Sequence, residues 1–420
     1  MDEQRHTIEE LKQWQALPLH VKVGMSMTRI RQWVHEYFED GVYVSFSGGK
    51  DSTVLSHLVD RAIPGNNIPR VFVNTGLEYP EVVQFVRKEP RAVIVRPKMN
   101  FKKVIEQYGY PFFSKETSEV IYNAKKYLTK LANTETISYR QTDSCSCSCR
   151  INTVTTDYSD KASMLNPSRG GQTQSTENSV DLVSLAKAKD KWTMPWRVAC
   201  CLGTFEPHWQ EKKMGVIPKD GSKSRYSQER FQFMLNAPFD VSHMCCNKMK
   251  KEPLHRYQVE THRNSITGEM AQESFLRTTK WLKNGCNGFN LKFPKSTPMA
   301  FWTEQDVLQY IRENNLEIAS VYGDIVADTR KDNVAEGQMR IEDFLGGECK
   351  LRTTGCQRTG CMFCGFGCHL EKPGEGRFLR LKTTHPKIYE WIMKSKEEGG
   401  LDYKNVIDWI NEHGGLHIEY

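Results

Sequence analysis

The sequence predicts an α/β protein built on a doubly wound, mostly parallel sheet, with a Cys-rich module on its C-terminal side. Three observations carry this. Short β-branched runs alternate with helical patterns: Val42, Tyr43, Val44 and Phe46, then RVFVN at Arg70 to Asn74, then AVIVR at Ala92 to Arg96. Such alternation reads as βαβ units. The first run leads directly into two glycines and an amphipathic helix. Of 13 cysteines, five fall between Cys349 and Cys368.

The elements follow in order. Residues 1–40 read as helices. Met25, Ile30, Trp33, Val34, Tyr37 and Phe38 recur at helical spacing, and Gly41 stops the run. The start, MDEQRHTIEELKQW, is polar and shows no secretory h-region. No apolar run approaches the roughly 20 residues that span a bilayer, so the expectation is a cytoplasmic protein with no membrane contact. In that reducing setting, clustered cysteines suit metal binding or chemistry better than disulfides. The net charge of +7 is compatible with phosphate-bearing ligands or nucleic acid and requires neither.

Residues 41–132 and 227–340 read as the α/β nucleotide-binding domain. Its first strand meets Ser47-Gly48-Gly49-Lys50-Asp51-Ser52. A strand, a glycine turn and a helix start make an anion site, because backbone N–H groups point outward and the helix dipole favours negative charge. Two glycines let phosphate approach closely. Lys50 adds charge, Ser47 and Ser52 add donors, and Asp51 is expected to cap the helix or help hold a metal. The spacing is not that of a Walker A loop. The second strand ends in Asn74-Thr75-Gly76, and a helix starts at Pro80, where a missing N–H costs little. In open parallel sheets, ligands sit beyond the carboxyl ends of the strands, where both loops fall. Thr303-Glu304-Gln305-Asp306 reads as a capping box with Asp in place of Glu, opening a helix to about Asn314.

Residues 133–226 are rich in Ser, Thr, Asn, Gln and Lys and read as an irregular insertion. It carries Cys145, Cys147, Cys149, Cys200 and Cys201, which suit either a soft metal or free thiols. Residues 341–420 read as a Cys-rich, helical module. Its Cys356-x4-Cys361-x2-Cys364-x3-Cys368-His369 is dense in thiolate ligands for zinc or an iron–sulfur cluster. Arg358, Lys372, Arg377 and Arg380 add charge nearby. Cys286 reads as a core thiol.

SGGKDS resembles the PP-loop of the N-type ATP pyrophosphatase and phosphoadenosine phosphosulfate (PAPS) reductase superfamily. Four further segments resemble that reductase family in order: FVNTGLEYPE (Phe72 to Glu81), MCCNKMKKEPL (Met244 to Leu254), GEMAQESFLR (Gly268 to Arg277) and FWTEQDVLQYIRENNL (Phe301 to Leu316). The resemblance implies an adenine nucleotide alpha hydrolase-like fold. It also implies an adenine nucleotide (PAPS, adenylyl sulfate or ATP) held by Ser47, Gly48, Gly49, Lys50, Ser52, Asn74, Thr75 and Gly76. Lys50, Asp51, Glu273 and Arg277 take catalytic roles, and Lys50→Ala is expected to weaken nucleotide binding while sparing the fold. It further implies a [4Fe-4S] cluster on Cys245, Cys246, Cys361 and Cys364. Zinc is the alternative metal, and Cys356 and Cys368 the alternative ligands.

Two departures stand out. Met270 occupies the place of the segment's first arginine. Gly414 occupies that of the nucleophilic cysteine in the family's tail, and no cysteine follows Cys368 in the 420 residues. The readings are therefore sulfur chemistry in the reductase manner, with a thioredoxin-like partner; an ATP-dependent adenylating sulfurtransferase using Mg²⁺, a sulfur-donor protein and nucleic acid; or a nucleotide-binding regulator without turnover.

Overall fold

A computed structural model describes residues 5–139, 227–328 and 350–420. The expectations for residues 140–226, including Cys145, Cys147, Cys149, Cys200 and Cys201, lie outside the described residues. The chain divides into two compact units. The first comprises Met1–Gln107, Met244–Cys364 and Thr383–His385, and the second Tyr108–His243, Gly365–Lys382 and Pro386–Tyr420. The first unit thus holds both the N-terminal helices and the Cys-rich segment as far as Cys364.

The first unit is organised by one sheet. Its strands are β1 (Val42–Ser45), β2 (Arg70–Val73), β3 (Ala92–Val95), β5 (Asn264–Ile266), β6 (Asn287–Gly288) and β7 (Lys295–Ser296), in the order β3-β2-β1-β5-β7-β6. All neighbours are parallel except the β6–β7 edge pair. The order reverses beside β1, so the crevice at its carboxyl end is the site such a sheet offers a ligand. The expected mostly parallel, doubly wound sheet is what the chain forms.

Helix α1 (Ile8–Gln15) opens with a capping box between Thr7 and Glu10. Helix α2 (Leu19–Tyr37) begins earlier than the periodicity suggested and ends before Phe38. Phe38 takes φ 60° and is 71% exposed, so it leaves the apolar face assigned to it. Gly41 explains the reversal, since a Cβ there would lie 1.9 Å from the Tyr37 carbonyl oxygen. Helix α3 (Lys50–Ala62) packs against α2 and buries Val54, Leu55, Leu58 and Val59 completely. Each such side chain contributes roughly 1.5–3 kcal/mol. Trp33, Trp302, Val42, Val44 and Ile266 belong to the same core, and so does the Cys286 thiol.

A polar network closes the outer side of α3. Arg70 is fully buried and donates to Asp60 at 2.6 Å, to Ser56 Oγ at 2.9 Å and to the Ile68 carbonyl at 2.6 Å. Arg91 grips the same carboxylate at 2.7 and 3.0 Å. Burial raises the Asp60 pKa, but the Arg91 hydrogen bond and the Arg70 charge outweigh it and hold it below the ordinary value. That stabilisation is complete above the unfolded carboxyl pKa of about 3.9. It is lost as the pH falls through the lower folded value. Asp60→Asn is expected to cost about 2–3 kcal/mol at pH 7, less than for a wholly buried pair because Asp60 keeps some exposure. Urea unfolding at pH 7 and pH 3 checks this: the deficit should shrink at the lower pH.

In the second unit, the helix Lys115–Tyr139 runs into the first residues of the expected irregular stretch. Strand β4 (Phe112–Phe113) pairs in parallel with Gly365–Phe366. The terminal helix Tyr403–Gly414 buries Tyr403, Val406, Ile407 and Ile410. No helix among the described residues is long and apolar enough to cross a membrane.

Candidate active site

The loop between β1 and α3 is a hydroxyl-lined cradle. Gly48 adopts φ +68°, and a Cβ there would lie 2.6 Å from Val86 Cγ2 and 2.9 Å from Val82 Cγ1. Only glycine fits that conformation and that gap. Three of the backbone donors are already engaged, where outward-pointing N–H groups were expected. Ser47 N–H donates to Ser52 Oγ (3.2 Å), Gly49 N–H to Ser47 Oγ (3.3 Å) and Lys50 N–H to the Tyr322 hydroxyl (3.1 Å). At these three amides an entering phosphate exchanges with a hydroxyl.

Gly49 is the N-cap of α3, and no side chain caps it. Asp51 therefore is not the cap expected. It lies one residue into the helix, because Lys50 is already helical, and its carboxylate meets Lys50 Nζ at 3.1 Å. Glu304 Oε1 approaches the same ammonium at 3.3 Å. Lys50 is 2% exposed. Burial works against its charge, yet Asp51 and Glu304 hold its pKa above the ordinary value. Lys50 is thus an interior cation, so Lys50→Ala should carry a stability cost as well. That substitution leaves two carboxylates facing each other. It should cost about 1–2 kcal/mol, moderated by the partial exposure of both partners. Thermal unfolding of Lys50→Ala beside Lys50→Ala/Glu304→Gln measures this, and the second change should recover part of the loss.

Beyond β1 and β2 lies a cavity of about 130 Å³, lined by Phe46, Phe72, Val73, Val82 and Leu254, with Ser47, Glu78, Lys250 and Thr359 supplying polar atoms. Apolar walls with a few convergent polar groups suit a planar heterocycle. Asn74, Thr75 and Gly76 form the turn beside it. Thr75 donates to Glu78 from its N–H (3.0 Å) and its hydroxyl (2.8 Å), and Gly76 N–H donates to Asn74 Oδ1 (3.0 Å). Thr75 and Asn74 thus shape the turn and orient Glu78.

The Gly268 to Arg277 segment follows β5. A Cβ on Gly268 would lie 3.1 Å from the Asp51 carbonyl oxygen, so the segment passes against the start of α3. Glu273 accepts from Met270 N–H (3.0 Å), pairs with Arg277 and meets Arg358 at 3.3 Å. It orients two guanidinium groups, so a proton-transfer role would first require breaking these pairs. Met270, in the position of the missing arginine, is 1% exposed and part of the core. Lys295 pairs with Glu269 at 2.9 Å. The Lys280 pKa is lowered by burial first and then by the charges of Lys295, Lys251 and Arg277. This concentration of positive charge is chemistry for an anion.

The Cys-Cys pair sits in a helical turn, Met244–Cys246, continued by a π-helical segment, Asn247–Lys251, into the helix Glu252–Thr261. Such π segments frequently mark functional sites. Cys361 and Cys364 share a tight turn, with Cys364 N–H donating to the Cys361 carbonyl at 3.2 Å. Burial drives the Cys245 pKa far upward, and the charges of Cys361, Cys246 and Cys364 push it further. Burial likewise pushes Cys361 up to about 12; Lys250 opposes the rise, while Cys364, Glu78 and Cys246 add to it. The expected four sulfurs therefore stand within electrostatic reach of one another. They do not form a closed site: among the described residues, no three Cys, His, Asp or Glu side chains are set to hold a metal ion. Lys250 stands 3.8 Å from Glu78; burial works against its charge, yet Cys361, Glu78 and Cys246 hold its pKa above the ordinary value. Cys356 is buried, with its N–H donating to the Val321 carbonyl at 2.9 Å. Cys368 belongs to the second unit, where its Sγ donates to the Gly365 carbonyl at 2.9 Å.

A glycine cradle at the carboxyl end of the central strand, with an apolar cavity between that strand and its neighbour, defines a nucleotide-binding α/β protein of the PP-loop class. The comparison with known families narrows it. The phosphoadenosine phosphosulfate reductase domain matches residues 41–147 and 210–365, well over half the chain. The chain belongs to that family, whose members are generally enzymes of adenine-nucleotide-dependent sulfur chemistry. No curated protein matches it.

Sequence reasoning did not single out Tyr322, Thr359, Glu304, Glu78 or Lys250. The last two lie inside segments already recognised. Glu304 lies in the capping box, where its role was read as local. Tyr322 and Thr359 carry no motif.

Proposed function

We propose that the protein binds an adenine nucleotide across the cavity and the Ser47–Ser52 cradle, and carries out sulfur chemistry on it beside an iron–sulfur cluster held by Cys245, Cys246, Cys361 and Cys364. The observation that carries this reading is Lys250. It lines the nucleotide cavity and also feels the charges of Cys361 and Cys246, which help hold its pKa above the ordinary value, so one ammonium serves both the nucleotide and the thiols. The donor set fits the group: thiols whose thiolate forms burial and one another disfavour would be relieved of that conflict by a cationic centre, and an all-sulfur set suits iron–sulfur or zinc. When bound, such a cluster supplies an electron store and a fixed charge next to the nucleotide.

The chain's own residues would do the rest. Gly48, Gly49, Ser47 and Ser52 receive phosphate, with Lys50 as the interior charge behind them. Arg277 and Arg358, oriented by Glu273, are placed to balance phosphate or sulfate charge. Phe46, Phe72 and Leu254 cover the base and exclude water.

Two observations favour a second reading, an adenylating sulfurtransferase that uses ATP with Mg²⁺, a sulfur donor and a nucleic-acid acceptor. Buried Met270 removes one arginine from the anion site. Gly414, in the place of the family's tail nucleophile, is packed so that a Cβ would lie 2.4 Å from the tip of the Phe233 ring, which would have to move to admit a side chain.

Anaerobic purification followed by iron, sulfide and visible absorption measurements tests the cluster. Zinc alone, or no metal, would sink it. Sulfite release from adenylyl sulfate or PAPS with a thiol donor supports reduction. Conversion of ATP to AMP and pyrophosphate that depends on nucleic acid and a sulfur donor supports the second reading. Nucleotide binding with neither activity would leave a regulator.

A further inference from the structure

The Tyr322 hydroxyl occupies an unusual place. It accepts the Lys50 N–H at 3.1 Å, at the first residue of α3, and lies 2.7 Å from Thr359 Oγ1. Both oxygens stand where a side chain on Gly49 would be: a Cβ there would lie 3.1 Å from the tyrosine oxygen and 3.0 Å from the threonine oxygen. Tyr322 is 2% exposed, so its hydroxyl is a built part of the cradle. A helix start is where phosphate oxygens bind, and here a phenol oxygen accepts the same N–H.

The other end of this contact leads to the cysteines. Thr359 lies between Cys356 and Cys361 and lines the nucleotide cavity with Gly360. The segment is tied at both ends to nucleotide-side elements. Cys356 N–H donates to the Val321 carbonyl (2.9 Å), Gly355 N–H to the Tyr322 carbonyl (2.8 Å), and Met362 N–H to the Leu77 carbonyl (2.8 Å) in the turn after β2. Gly355 makes the close approach possible, since a Cβ there would lie 2.4 Å from the Val321 oxygen. The Cys361 segment thus bridges the cradle and the Asn74–Gly76 turn.

We propose that Tyr322 and Thr359 are ligands of the nucleotide phosphate and form the latch through which its binding orders the Cys356–Cys361 segment. A phosphate oxygen takes over the Lys50 N–H, and the released tyrosine hydroxyl donates to the phosphate. Thr359 follows and fixes the sulfur-bearing turn against the nucleotide. This rests on the nucleotide reading above and deepens it. No covalent step is involved, only an exchange of hydrogen-bond partners.

The test compares adenosine with adenosine 5′-monophosphate, by calorimetry and by hydrogen–deuterium exchange, on the full chain as purified. In the wild type, the monophosphate should bind at least tenfold tighter than adenosine and slow exchange in both residues 47–53 and 356–362. Tyr322→Phe and Thr359→Val should each reduce the preference for the monophosphate over adenosine about three- to tenfold. They should also abolish the response of 356–362 while sparing that of 47–53. Thr359→Ser should restore both. An unchanged preference together with a persisting response of 356–362 in both variants overturns the latch. If the wild type binds neither compound, the nucleotide reading itself falls, a result distinct from loss of the latch.

Discussion

Gly48→Ala is expected to weaken nucleotide binding by about tenfold or more and to lower the unfolding temperature. Two costs add. The left-handed conformation at φ +68° costs a non-glycine residue about 1–2 kcal/mol. Overlap with Val82 and Val86, at 2.9 and 2.6 Å from the new methyl, adds about 1–3 kcal/mol unless the backbone moves. The backbone that would have to move is the phosphate cradle. Affinity should therefore fall by about tenfold or more even in molecules that stay folded, since each 1.4 kcal/mol is a factor of ten. Gly65→Ala is the control. It has a similar φ of +75° with nothing within 4 Å, so it should cost stability and leave nucleotide affinity alone. Calorimetry with adenosine 5′-monophosphate beside thermal unfolding separates the two. Equal binding by Gly48→Ala and the wild type would remove the cradle from the site.

Cys361→Ser is expected to reduce iron and sulfide in anaerobically purified protein to background. Serine keeps the shape of the side chain but lacks the soft thiolate on which such clusters depend. Cys245→Ser should do the same, because its closest electrostatic partners are the other three thiols. Cys368→Ser should leave the metal content unchanged, since its Sγ is committed to the Gly365 carbonyl. The opposite pattern, with metal lost in Cys356→Ser and Cys368→Ser but retained in Cys245→Ser, would assign a local knuckle instead.

Much of this site was legible from residue order. The turn at Ser47–Ser52 follows from Gly48, whose left-handed conformation favours glycine, between a β-branched strand and an amphipathic helix. Thr303 and Asp306 form the capping box as read, with Asp306 N–H donating to Thr303 Oγ1 at 3.2 Å. These signals are local: near neighbours in the chain decide them. Phe38 shows the limit. Its spacing is helical, but the close approach of Gly41 to Tyr37 turns the chain first and puts the ring in solvent. Asp51 shows another. An acidic residue at a helix start suggests a cap, whereas the cap is Gly49 and the carboxylate serves Lys50.

By itself, the sequence determined a parallel α/β sheet, a glycine cradle at the end of its central strand, and the family. Only the tertiary structure decided that Lys50 is buried between Asp51 and Glu304, that Lys250 stands between the cavity and Cys361, and that Tyr322 and Thr359 complete the cradle. The reason is distance along the chain. Glycine geometry, strand alternation and capping act over a few residues. The Lys50–Tyr322 contact joins residues 272 apart, and Tyr322–Thr359 residues 37 apart. Such partners meet only through the packing of the whole unit, so no spacing in the sequence announces them.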